Sequence, residues 1–97
     1  MPKFRVFSTE NGDVFTQCTG IKDVDGKEIY EGDIVCATFI EGGKKMRYQH
    51  EVVWDCNSMG AGFFIAYDDE DLVFLNADYV EAASLRVVGN IYEGINR

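Results

Sequence analysis

Residues 34–55 read IVCATFIEGGKKMRYQHEVVWD. From Met46 onward the side chains alternate. Met46, Tyr48, His50, Val52 and Trp54 fall on one face of an extended chain, and Arg47, Gln49, Glu51, Val53 and Asp55 on the other. The preceding run, Ile34 to Ile40, is almost continuously apolar, the pattern of a central strand buried on both faces. Between the two runs, Glu41-Gly42-Gly43-Lys44 supplies the residues of a tight turn. The stretch therefore predicts an antiparallel hairpin over residues 34–55.

Working outward, strand signals continue in both directions. Lys3 to Phe7 and Val14 to Cys18 flank Asn11-Gly12 and read as a first hairpin. Asp25-Gly26, which tolerates positive φ, separates Ile21–Val24 from Lys27–Tyr30 as a small hairpin or an ordered loop. Downstream, residues 56–62 read as a loop and Phe63 to Tyr67 as a strand. Asp68-Asp69-Glu70-Asp71 reads as a polar turn, and Leu72 to Leu75 as the returning strand. Residues 77–84 hold enough helix formers for a single short helical turn. Arg86 to Tyr92 is the last expected strand, and Glu93 to Arg97 a tail. Seven or so short strands in 97 residues predict one domain over residues 1–97, all-β, built as a small barrel or sandwich.

Composition supports a folded chain: 46% of residues are hydrophobic and 13% aromatic, enough to build a core. The formal net charge is -8, and residues 51–97 carry only Arg86 and Arg97 against nine acids. Nonspecific grip on nucleic acid needs Lys and Arg facing phosphates, so nucleic acid is not the expected partner. The exception in this balance is a small basic group, Lys44, Lys45 and Arg47. Cys18, Cys36 and Cys56 are odd in number and widely spaced, with no CxxC, so they are expected as reduced thiols rather than disulfide or zinc ligands. The first residues lack the apolar run of a signal peptide, and nothing approaches the ~20 apolar residues of a membrane span. No membrane association is expected.

The sequence resembles the YopX family. The resemblance is carried by Thr19-Gly20-Ile21-Lys22-Asp23, by Asp25-Gly26-Lys27-Glu28-Ile29-Tyr30-Glu31-Gly32-Asp33-Ile34-Val35, and by Val87-Val88-Gly89-Asn90-Ile91-Tyr92-Glu93. Val53-Trp54-Asp55, Gly62-Phe63 and Lys3-Phe4-Arg5 fall between and before these blocks in the family's order. The resemblance implies an SH3-like barrel and an origin in bacteriophages or prophages; together with the reduced thiols, it makes the cytoplasm of the bacterial host the expected place of action. It implies no activity, because the family's function is unknown. The chain departs from the pattern after Glu93, where Gly94-Ile95-Asn96-Arg97 stands in place of an asparagine–proline stretch.

Most of these motifs have a folding explanation. Gly32 permits a backbone conformation closed to other residues just before a buried strand, and Asp33 can accept backbone hydrogen bonds to close the turn. Tyr30 can lay its ring on the body of the domain and point its hydroxyl outward. Gly89 and Asn90 suit a bulge or a close backbone approach. Trp54 shares a face with Val52 and is expected in the core. His50, the only histidine, is expected to be packed rather than catalytic, since no oriented partner accompanies it. The acidic run 68–71 lacks the spacing of a calcium loop. No enzyme constellation and no cofactor site is expected.

A noncatalytic binding protein is therefore the leading expectation, with Tyr30, Glu31, Trp54, Asn90 and Tyr92 as the candidate partner-binding residues. Homo-oligomerisation is expected as well, since a chain this short leaves strand edges exposed. Three alternatives are a single-strand-binding small barrel, an acidic mimic of DNA that occupies a host protein's basic site, and a component of the virion or its assembly.

Overall fold

A computed structural model of the chain describes residues 3–57, 60–67 and 71–95. The first hairpin joins β1 (Phe4–Thr9) to β2 (Gly12–Lys22), with Val6 opposite Phe15. The short β3 (Glu28–Tyr30) adds to β2 and completes a three-stranded sheet. The hairpin read from residues 34–55 is present as β4 (Asp33–Glu41) and β5 (Lys44–Asn57), paired from Ile34↔Glu51 to Glu41↔Lys44. Then come β6 (Gly60–Ala66), β7 (Leu72–Phe74), α1 (Ala77–Ala82), β8 (Arg86–Asn90) and β9 (Gly94–Ile95). The second sheet has the order β7-β6-β5-β4-β8-β9, antiparallel throughout.

The all-β class holds, with one short helix where helix formers were read. The barrel does not close: the chain forms two open sheets, with edge strands at β1, β3, β7 and β9 among the described residues. Ile34 to Ile40 is not buried on both faces. Val35 and Ala37 are fully buried, whereas Ile34, Cys36 and Thr38 are partly open and Ile40 is exposed. β4 is central in the sheet, but only one of its faces meets the main core. Residues 56–62 are not simply a loop, since Cys56 pairs with Ala61 and Asn57 with Gly60. The expected tail also contributes a strand, Gly94 and Ile95 pairing with Asn90 and Gly89. Of the acidic run, residues 68–70 lie outside the described residues.

The core gathers Val35, Ala37, Val52 and Ile65 from the larger sheet, Ile29 from the smaller one, and Leu75, Val80, Ala83 and Leu85 from the helical segment. The helix is six residues long, too short to persist alone. Asn76 caps it by accepting the Tyr79 N–H at 2.8 Å. Its exit is tied to β4, where the Thr38 N–H donates to the Ala83 carbonyl at 2.7 Å. Ser84 takes φ 45°, a left-handed turn that lets Leu85 fold back into the core.

Candidate functional site

Asp33 is completely buried at the start of β4. One carboxylate oxygen accepts the Tyr30 N–H at 2.8 Å, and the other lies 2.6 Å from an Arg5 guanidinium nitrogen. Arg5 comes from the inner face of β1. Its guanidinium lies 4.7 Å from the Phe7 ring centre and 4.5 Å from the Tyr30 ring centre, so two aromatic faces flank it. Burial pushes the Asp33 carboxyl above its ordinary pKa, opposed by the Tyr30 amide and by Arg5. The Tyr30 hydroxyl points outward and donates to Glu28 at 3.3 Å.

Gly32 precedes Asp33 with φ 87°. A Cβ there would stand 3.0 Å from the Tyr92 ring and 3.6 Å from Ile91. The glycine is therefore required twice, by its backbone angle and by the chain segment lying against it. Its N–H donates to the Val52 carbonyl at 2.8 Å, and its carbonyl accepts the Ile91 N–H at 2.9 Å. Asn90, opposite Asp33 in register, is also buried. Its side-chain oxygen accepts the N–H groups of Tyr92 and Glu93, and its amide nitrogen donates to the Glu93 carboxylate. Tyr92 then stacks on Phe7 with ring centres 4.9 Å apart. The two sequence blocks, residues 30–35 and 87–93, thus form a single clasp, with Arg5 and Phe7 as its third member.

A second polar staple lies one loop away. Asp23 is buried, and one of its oxygens accepts the N–H groups of Asp25 and Lys27 at 2.9 Å each. The other accepts the Val87 N–H at 3.0 Å, from 64 residues further along the chain. The Asp25-Gly26 turn is therefore closed by a side chain as well as by backbone pairing. The expected irregularity at Gly89 is present too: pairing slips between Ile34↔Gly89 and Val35↔Val87.

Of the candidate binding residues, Tyr30, Asn90 and Tyr92 come together in the clasp. Glu31 adjoins it, its N–H donating to the Gln17 carbonyl. Trp54 stands elsewhere on the surface, two residues along β5 from Val52. It occupies the expected face but runs past the end of the core: it is 51% exposed, in edge-to-face contact with Phe63 at 5.0 Å. The sequence predicts no role at a site for Arg5, Phe7 or Asp23. A cation and an aromatic on one face of an edge strand give no local sign of the carboxylate that pairs with them.

His50 packs between aromatic rings, 4.1 Å from Tyr67 and 6.4 Å from Tyr48. Burial lowers its pKa, partly offset by a hydrogen bond to the Ala66 backbone. Its Nε2 is buried with no hydrogen-bond partner among the described residues. The three cysteines are free, Cys56 exposed and the other two partly buried. Among the described residues no group of three or more acidic, histidine or cysteine side chains is placed to hold a metal ion, and no helix is long and apolar enough to cross a membrane.

These features define a small all-β domain whose conspicuous motifs close its own fold. The sequence model of the family described as "YopX protein" matches residues 2–96, and the chain belongs to that family. No curated protein and no solved structure matches it.

Proposed function

We propose that this chain is a noncatalytic accessory protein of a phage or prophage. It works in the bacterial cytoplasm by binding another protein through the outer face of the β1–β2 ribbon. One observation carries the reading. Phe4, Val6 and Phe15 are 56%, 51% and 65% exposed, and they are adjacent: Val6 lies opposite Phe15, with Phe4 two residues along β1. Arg5 and Phe7, which alternate with them, face inward to the clasp. β1 is hydrogen-bonded only to β2 among the described strands. An apolar row beside an unpaired strand edge is the kind of surface that strand addition and apolar docking use. A second copy of the chain is one candidate partner.

A photo-crosslinking residue placed at position 15, with a control at the exposed position 10, tests this reading in host cells. The expected result is a discrete adduct from position 15, absent from position 10, and suppressed by Val6→Ser with circular dichroism unchanged. An adduct at twice the chain mass would identify self-association. Equal labelling from both positions, or labelling indifferent to Val6→Ser, would count against the ribbon face.

A further inference from the structure

The outer face of β4, opposite the main core, is the floor of a cleft of about 580 Å³. Three of the chain's nine cationic residues line it: Lys45, Arg47 and Arg86. The register explains why they meet. Thr38 lies opposite Arg47, Ile40 opposite Lys45, and Cys36 opposite both Gln49 and Arg86. Directly opposed residues on one sheet face have Cβ atoms about 4.5–5.5 Å apart. β5 and β8 flank β4, so Arg47 and Arg86 project from the same sheet face on either side of it, two strand spacings across and two residues along, with Cα atoms about 12 Å apart. The hydroxyl side chains of Thr38 and Ser84 also line the cleft.

The counter-charges are few. Arg86 approaches Asp25 at 3.5 Å, with both side chains about 60% exposed. Lys45 and Arg47 have no ion pair among the described residues. Glu41, at the end of the same hairpin, lies on the other face of the sheet, where its carboxylate accepts from the Tyr48 hydroxyl with its two oxygens at 3.0 and 3.1 Å. In a chain of net charge -8, such a cluster is an island of opposite sign. The repulsion from distant acids is screened beyond about 8–10 Å at physiological ionic strength.

We propose that this cleft binds a small ligand carrying two or more phosphoryl groups, of the size of a nucleoside di- or triphosphate. Two guanidinium groups on either side of β4 match a chain of phosphates better than a single monoanion, because each guanidinium takes one phosphoryl group. The cleft volume falls within the usual range for small-ligand sites, about 300–1,000 Å³. Phe39 and Ile40 add apolar lining beside the cations.

The test is titration of the full chain with ATP, inorganic tripolyphosphate and adenosine in magnesium-free buffer at physiological salt, followed by amide NMR and calorimetry. The expected result is saturable binding of at least one phosphate ligand, with shifts centred on Thr38, Arg47, Ser84 and Arg86. Arg47→Ala with Arg86→Ala should weaken it tenfold or more, while Lys22→Ala, on another strand, leaves it unchanged. Tighter binding of ATP than of tripolyphosphate would assign the site to nucleotides, and equal binding to the phosphate chain alone. Failure of both phosphate ligands to saturate, or equal weakening by Lys22→Ala, would overturn the proposal. The ribbon residues Phe4, Val6 and Phe15 are untouched by these variants, so the crosslinking test stands independently.

Discussion

At the Asp33 end of the β4–β5 hairpin, charged and amide side chains are buried and bonded to backbone, whereas at the Glu41–Lys44 end apolar side chains stand in water. Asp33 and Asn90 are 0% and 5% exposed; Ile40 and Met46 are 69% and 37% exposed. Hydrophobic patterning alone would predict the reverse. The contrast shows what each end has to do. The first end joins three distant chain segments, so its buried backbone N–H groups need partners that no regular ladder supplies, and polar side chains provide them. The second end is a local turn between consecutive strands, which glycines at positions 42 and 43 satisfy without help. Recognisable motifs therefore concentrate where the fold makes non-local polar contacts.

Asp33→Ala should reveal the largest difference between the two ends. It leaves the Arg5 guanidinium without its counter-ion and the Tyr30 N–H without its acceptor. A loss of about 3–5 kcal/mol is expected, read from the urea midpoint at constant m-value. Asp33→Asn, which keeps an acceptor for Tyr30, should cost less. A loss below 1 kcal/mol for the alanine variant would mean that the clasp contributes little.

Two glycines sharpen the comparison further, because both are left-handed and only one is crowded. Gly32→Ala would meet Tyr92, whereas Gly42→Ala meets nothing within 4 Å. Each substitution carries a backbone cost of about 1–2 kcal/mol. Gly32→Ala should exceed Gly42→Ala by a further margin and should perturb the Phe7 and Tyr92 aromatic resonances. Equal losses would show that only the backbone angle matters. Smallest of all, Ile40→Thr at the exposed end should change stability by less than about 0.5 kcal/mol. A larger loss by thermal melting would place Ile40 in a contact, such as a dimer interface.

Local pattern was the readable part of this fold. The alternation from Met46 to Asp55 gave the long hairpin and its faces, and the Asn11-Gly12 pair gave the first hairpin. What alternation does not encode is where a face stops being covered. Trp54 sits on the core face, yet the core ends near Val52, so the ring emerges into solvent. Ile40 is exposed for a different reason: it lies on the outer face of β4, opposite the main core. Sheet closure was equally illegible, since it depends on how far β1–β3 lie from the outer strands of the larger sheet. Lys45 and Arg47 were visible as a basic pair two residues apart, but Arg86 reaches them only through the β4–β8 pairing. Arg5 and Asp23 likewise acquire their roles from segments far away in sequence.

The clasp also has a consequence for the order of events during synthesis. Gly32 and Asp33 are made early, but the residues that complete their surroundings, Val87 to Glu93, emerge from the ribosome much later. At about 5–20 residues per second the delay is on the order of several seconds. Throughout that interval the β4–β5 hairpin can pair locally while the Gly32 carbonyl, which the Ile91 N–H later engages, stays hydrated. Closure of the nascent chain is thus timed by its last strands, and a ribosome stalled before Asn90 would carry a chain whose Gly32 carbonyl still faces water.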